Sequence, residues 1–530
     1  MNFASLFSRV GATAWPWLAV IATALTRCNS SEAVPASAST PSGQRATQAD
    51  APTPSADASA TEADAEAEAA PSIALMPRVY ALTRNVWVRE RRDSNSQWLG
   101  FLWVGGSAKL VDEEPKAGPG CQKWYAVKPR GFVCAMGKRA TIDPDDPVRL
   151  GLMPYAPKLD TAWPHHYAKS NEAQRYQELP SQKLQRRREW DLESHLSRAA
   201  ALADGGPPVD STKAAELAVR PQGPVLLPKL PRTLRMERQR MRARSTVAWS
   251  AEVEHEGRPF LLTADYAWIP KDRLTAYPKV TFAGLQLPRD AKMPLAFFRG
   301  QDHAKYKRIS DTEFEQTEQR FRRLSHVELT GESLRAGAHH YLETRDHGLY
   351  TREKDAVVPK LRDKTPWGAP LGDAEDTTGR TPSGRKTWID VSVLGGWLLA
   401  YEGQRAVFVT LMSPGRGGVP VPGKDAIETA STPTGQYKIT GKFATATMVA
   451  PGELVHSDVP WAQNFSGPHA LHGAYWHNEW GEKKSGGCVN VSPIDGKHLF
   501  EWTEPAVPRG WHGVRWLPKK ENATIFLVRR

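Results

Sequence analysis

Between Thr387 and Leu411 the chain runs through three short apolar segments with barely a turn between them. They are Trp388-Ile389-Asp390-Val391-Ser392, Trp397-Leu398-Leu399-Ala400-Tyr401 and Ala406-Val407-Phe408-Val409-Thr410-Leu411. Each is too brief for a helix, and a two-residue side-chain period sends neighbours to opposite faces. Strands joined by tight Gly turns build an antiparallel sheet, so this end of the chain is expected to be a β-domain spanning 387–530.

The same pattern recurs upstream. Val86-Trp87-Val88-Arg89 and Trp98-Leu99-Gly100-Phe101-Leu102-Trp103-Val104 read as strands within 73–140. Further strands are expected between Thr246 and Leu274 and between Tyr341 and Val358. Helix is expected from Glu172 to Leu202, broken at Pro180, and near Asp311 to Ser325. The fold class that follows is mainly β with some helix, and multidomain. A length of 530 residues suggests about three or four units. Forty-two prolines and nineteen tryptophans suit turns and short strands.

Composition sets the boundaries. Arg9 precedes an apolar stretch from Val10 to Leu25, interrupted by Pro16, which is the layout of an export signal over 1–28. Two endings compete: Ala22-Thr23-Ala24 resembles a signal-peptidase site, and Leu25-Thr26-Arg27-Cys28 resembles a lipobox that would place a lipid on Cys28. No second run approaches the roughly 20 apolar residues of a spanning helix. Residues 29–72 are dominated by Ala, Ser, Thr, Pro, Asp and Glu, too polar to offset ordering entropy, and read as a tether. Residues 141–235 are irregular and charged. Residues 236–367 read as small β-rich units with a helix, and 368–386 as a linker.

The net charge of +12 is concentrated in basic runs, Lys183 to Arg188 and Arg232 to Arg244. Such runs attract polyanions. Behind an export signal the partner expected is an anionic envelope surface and not nucleic acid.

Four cysteines sort by position. Cys28 ends the export signal. Cys121 and Cys134 are near neighbours in one β-rich segment, and an oxidising compartment would allow them to pair. Cys488 would then be the only free thiol of the folded part.

The chemistry is concentrated in Leu471-His472-Gly473-Ala474-Tyr475-Trp476-His477 and Ser485-Gly486-Gly487-Cys488-Val489-Asn490. A thiol is a mediocre nucleophile at neutral pH until an imidazole or backbone N–H groups stabilise its thiolate. Two glycines before Cys488 would let the backbone approach a substrate closely. His472 precedes Cys488 by 16 residues, which suits adjacent strands with a loop between them. His469, His472 and His477 with Cys488 match no common zinc spacing, so neither metal nor cofactor is expected. His339, His340, His498 and His512 read as surface or packing residues.

The region from about Thr387 to Val528 resembles the YkuD-type L,D-transpeptidase catalytic domain. Thr432-Pro433-Thr434-Gly435-Gln436-Tyr437-Lys438-Ile439, Ala470-Leu471-His472-Gly473 and Ser485-Gly486-Gly487-Cys488-Val489-Asn490 resemble that family's three motifs in order. Gly486 stands where the signature most often has a second His. Lys123-Trp124-Tyr125-Ala126-Val127-Lys128-Pro129-Arg130-Gly131-Phe132-Val133 resembles the end of a bacterial SH3-like barrel, which implies a binding or spacing role in the wall, and the strands ending Ala267-Trp268-Ile269-Pro270-Lys271-Asp272-Arg273-Leu274 resemble a second SH3-like fragment within 236–367.

The resemblance implies a C-terminal β-sandwich and acyl transfer on peptidoglycan stem peptides. Cys488 would attack the third-residue carbonyl of a tetrapeptide stem and release D-Ala. His472 would be the base, oriented by the Gly473 carbonyl. The N–H groups of Gly487 and Cys488 would form the oxyanion site. Trp461, Phe465, Tyr475 and Trp476 would line the cleft, with Ser485 and Asn490 supporting the substrate side of the Cys488 loop. The setting implied is the cell envelope, exported and periplasmic. Water as acceptor would make the protein an L,D-carboxypeptidase. A papain-like or NlpC-type wall hydrolase puts its cysteine before its histidine, the reverse of the order here. A wall-binding scaffold with a decayed site is the reading from another class.

Overall fold

The computed structural model describes residues 76–205, 240–372, 386–450, 454–515 and 523–530. The export signal, Cys28, the tether, residues 206–239 and the greater part of the 368–386 linker lie outside the described residues.

The Thr387–Leu411 segment forms the strands Thr387–Ser392, Trp397–Glu402 and Arg405–Leu411. They pair antiparallel within a six-stranded sheet, and Thr387–Ser392 also pairs in parallel with Ile525–Arg529. Every residue of Thr387–Ser392 is buried, because two-residue alternation feeds two cores. Ile389 and Val391 point into one core with Leu398, Phe408, Leu471, Val489, Val491, Leu499 and Phe526. Trp388, with Leu399, Tyr401 and Leu411, points into the other.

The first core is closed by the strands Leu454–Ser466, His469–Gly473 and Val489–Val491 and by the helix Pro493–Trp502. This is a β-sandwich with one short helix. Ser492 caps that helix by accepting from the Asp495 N–H at 3.1 Å, and Pro493 occupies its first position, where no N–H is needed. The second core is closed by residues from upstream: Val280, Phe282, Leu295 and Phe297 pack with Trp480 against the sheet.

The upstream strands are knit to the same body. Trp98–Leu102 pairs with Gly513–Arg515, and Trp511 packs into the core formed by Val79, Val88, Leu102 and Val133. Cys121 and Cys134 are joined by a disulfide in this unit. Thr246–His255 pairs with His166–Ser170 and touches Leu454–Ser466 through Thr246 and His456. Among the described residues no helix is long and apolar enough to cross a membrane.

Two helical expectations need correction. Asp311 to Ser325 is not helical: Glu313–Phe321 is a strand paired with His303–Ser310. Glu, Gln and Arg favour helix only weakly, and tertiary packing overrides them. Phe314 stacks on Tyr341 at 3.9 Å and Phe321 on Phe298 at 4.2 Å. The Glu172 to Leu202 segment is helical only after Pro180, as Gln182–Arg188 and Leu192–Gly205. Its second break falls at Glu189, a buried carboxylate that turns inward to pair with Arg258 and Arg273.

Candidate active site

Strand register builds the site. His469–Gly473 runs parallel to Val489–Val491, with Leu471 opposite Val489, His472 opposite Asn490 and Gly473 opposite Val491. Leu471, Val489 and Val491 face the sandwich core. Strand alternation then turns His472 and Asn490 to the other face. One step back along the register sets Cys488 beside Ala470, on the same face as His472.

His472 is buried, and its Nδ1 lies 3.1 Å from the Gly473 carbonyl oxygen. That carbonyl can only accept, so Nδ1 carries the proton and Nε2 keeps a free lone pair. Burial drives the ring's pKa down to about 4, and His456 adds to the effect, against the Gly473 bond. At neutral pH the imidazole is therefore uncharged, with its Nε2 lone pair available, though a weaker base than an ordinary imidazole. Cys488 is a free, partly exposed cysteine. Burial pushes its thiol pKa up, and a backbone hydrogen bond from Ala470 pulls the other way.

The loop before Cys488 is stapled by Ser485, whose hydroxyl donates to the Cys488 carbonyl at 2.6 Å and accepts the Gly487 N–H at 3.0 Å. The Gly487 N–H is thus already engaged, which corrects its expected place in an oxyanion site. Gly487 has a conformational task instead. Its φ is +128°, and a methyl there would lie 2.7 Å from His469 Nε2 and 2.8 Å from the Ser431 carbonyl oxygen. His469 donates from Nδ1 to the Ser466 carbonyl at 3.1 Å. Gly486, by contrast, faces open space. Thr432 also serves the loop: its hydroxyl accepts the Gly415 N–H at 2.8 Å, and Arg416 N–H bonds the Ser485 carbonyl at 2.9 Å.

Residues 386–510 match the family model described as the YkuD L,D-transpeptidase catalytic domain. This segment is a YkuD-type L,D-transpeptidase catalytic domain. Solved structures similar to the chain include a cysteine-to-serine mutant of the Enterococcus faecium L,D-transpeptidase, at 21% identity over 27% of this chain and 50% of that one, with a TM-score of 0.20. An L,D-transpeptidase from Xylanimonas cellulosilytica matches at 20% identity over 30% and 64%, TM-score 0.20. One from Mycobacterium tuberculosis matches at 14% over 43% and 77%, TM-score 0.21. The chain spans about half the length of the first of these. A search of curated proteins gave no match.

Three aromatics expected in the cleft of this L,D-transpeptidase domain are packing residues. Trp461 is 2% exposed, donates to the Ala162 carbonyl at 2.8 Å and lies against Phe500. Phe465 is buried and stacked on Phe526 at 4.5 Å. Tyr475 stacks on Tyr167 at 3.7 Å, and its hydroxyl donates to the Ser457 carbonyl at 2.9 Å. All three were assigned from aromatic character alone, and each has its ring faces occupied by protein. Trp476 differs: it is half-buried, 5.7 Å from the His472 ring and stacked on His456 at 4.5 Å.

Asn490 is fully buried, pairs through both backbone groups with Ser413 at 2.8 and 2.9 Å, and holds its Nδ2 3.3 Å from His477 Nε2. His456 and His477 belong to this surface and were not among the residues expected there. His477 was visible in the sequence only as an unsuitable zinc ligand. His456 lies on another strand, and nothing local signals it.

Proposed function

We propose that this protein is a peptidoglycan L,D-transpeptidase with Cys488 as nucleophile and His472 as base. The observation that carries the reading is the parallel register that sets Cys488 and His472 on one face, with the His472 Nδ1 proton fixed on Gly473. His472 Nε2 takes the Cys488 proton as the sulfur attacks the carbonyl carbon of the third stem residue. The tetrahedral oxyanion is assigned to the Cys488 N–H, because Gly487 already donates to Ser485. The imidazolium then gives its proton to the departing amine, the C–N bond breaks, D-Ala leaves and a thioester remains. An amine acceptor attacks the thioester, loses its proton to His472 and expels the thiolate. Trp476 walls the stem subsite beside His472. Export to the envelope, a lipid on Cys28 and wall contact through 73–140 complete the proposal.

Intact-mass measurement with tetrapeptide muropeptides tests it. Wild type is expected to gain an acyl group on Cys488 and to yield joined stems when an amine is supplied, and Cys488→Ala to do neither. Shortened stems alone would make it a carboxypeptidase. An unacylated wild-type thiol, or undiminished turnover by Cys488→Ala, would overturn the reading.

A further inference from the structure

Base strand and nucleophile are joined by an irregular turn, His477 to Lys484, whose carbonyls lack ladder partners. Two of them are satisfied from outside the matched family region. Arg299 Nη1 donates to the Gly481 carbonyl at 2.5 Å, and Arg323 Nη2 donates to the Asn478 carbonyl. Among the described residues neither guanidinium forms a salt bridge, and their hydrogen bonds to this turn go to main-chain oxygens; the Arg323 charge also helps hold the Glu479 carboxyl below its ordinary pKa, behind the larger effect of Lys484.

The arginines are themselves fixed. Arg323 N–H bonds Asp302 Oδ1 at 2.7 Å, Leu324 N–H bonds the Phe298 carbonyl at 2.6 Å, and Phe298 stacks on Phe321. Inside the turn, Trp480 is fully buried and stacks on Phe282.

The turn leads back to the nucleophile through a closed circuit of bonds. Glu479 N–H donates to His477 Nδ1 at 3.3 Å, so the neutral ring carries its proton on Nε2 and donates it to the Asn490 side-chain amide 3.3 Å away, whose carbonyl oxygen, otherwise buried without a partner, is the group that can accept. Ser413 Oγ donates to the Glu479 carbonyl at 2.9 Å, and the Ser413 backbone is paired with Asn490. Asn490 stands two residues after Cys488, on its face of the sheet.

We propose that Arg299 and Arg323 are positioning residues for Cys488, acting through the His477–Gly481 turn and Asn490. The part of the chain that holds the strands His303–Ser310 and Glu313–Phe321 is then part of the catalytic apparatus and not a spacer. This rests on the acyl-transfer reading above for its rate assay, and one readout is independent of it.

The test uses the full chain with Arg299→Gln, Arg323→Gln, the double variant and Arg323→Lys. Misplacement of reacting groups by about 1 Å costs up to about a hundredfold in rate. The double variant is expected to lose about tenfold or more in kcat on tetrapeptide stems, with KM within about twofold. Arg323→Lys, which keeps one donor, is expected to recover part of the loss. Circular dichroism and thermal melts report folding, and kcat is taken per folded molecule. In parallel, alkylation of Cys488 by iodoacetamide, read on its peptide by mass spectrometry, is expected to change severalfold and to shift in pH dependence.

Unchanged kcat and alkylation in the folded double variant would overturn the proposal. A loss proportional to unfolding would do so too, since it would reduce both arginines to fold support, and a rise in KM alone would make them substrate contacts. If wild type fails to turn over stems, the acyl-transfer reading fails, and alkylation still decides the positioning role.

Discussion

Gly486 and Gly487 are adjacent and identical in side chain, yet the structure gives them opposite tolerances. At Gly487 an alanine would have to hold φ near +128°, which costs on the order of 1–3 kcal/mol for a residue with a Cβ. Its methyl would also lie 2.7 Å from His469 Nε2 and 2.8 Å from a main-chain oxygen of Ser431. The carbonyl cannot swing away without moving the Ser431 backbone, and such overpacking adds about 1–3 kcal/mol. Gly487→Ala should therefore lose on the order of 2–6 kcal/mol in urea unfolding, and with it the Ser485 bond that shapes the nucleophile loop. At Gly486 no atom lies within 4 Å of the new methyl and φ is not in the left-handed region. Gly486→Ala should stay within about 0.5 kcal/mol of wild type, or gain up to about 1 kcal/mol by restricting the unfolded chain. Acylation of Cys488 should survive the first-glycine change and collapse with the second. Equal stability of the two variants, within about 0.5 kcal/mol, with equal acylation would refute the argument.

Three further outcomes follow from burial. The acid limb of kcat/KM should fall near pH 4, where buried His472 takes its proton, and not near the ordinary imidazole value of 6.5; an apparent pKa at or above 6 would mean that another group is the base. Stability should decline as pH drops below 6.5, because unfolded His165 and His512 bind protons there while their buried folded forms stay neutral down to about 3. Each such histidine removes about 1.4 kcal/mol per pH unit across that window, and urea titrations at pH 7, 6 and 5 showing no loss would contradict it. Trp461→Ala and Phe465→Ala should each destabilise by about 3–5 kcal/mol. Trp476→Ala should spare stability and raise KM for stems, and the reverse pattern would invalidate the division between core and cleft.

The contrast among these aromatics shows where sequence reading stops. The three apolar segments after Thr387 identify a sheet because alternation is a local property. The separation of His472 and Cys488 points to neighbouring strands for the same reason. Tyr475 and Trp476 are adjacent in an irregular turn, where no two-residue rule applies, so the sequence does not say which one faces Tyr167 and which faces His472. The segment Glu313–Phe321 reads as helix because its charged residues favour one locally. Its aromatics are satisfied by Phe298, Tyr341 and Tyr350, whose positions no local pattern announces. Pairing of Trp98–Leu102 with Gly513–Arg515 is likewise invisible until both ends of the chain are folded.

Burial also determines when the thiol can ionise. With His472 driven to about 4 and the Cys488 thiol pushed up, the thiolate–imidazolium pair is disfavoured in the resting protein, and the neutral thiol–imidazole pair prevails. The Ala470 N–H offsets only part of the desolvation at sulfur. A bound carbonyl changes that balance, because attack moves the developing charge from a poorly solvated sulfur to an oxygen that a backbone N–H can meet. Proton transfer to His472 is therefore expected to accompany attack and not to precede it. Alkylation of Cys488 without substrate should then accelerate only as alkaline pH ionises the thiol itself, while acylation by stems stays fast at neutral pH. A Cys488 peptide alkylated at pH 6 as fast as at pH 9 would mean that the thiolate exists at rest, and that substrate is not needed to form it.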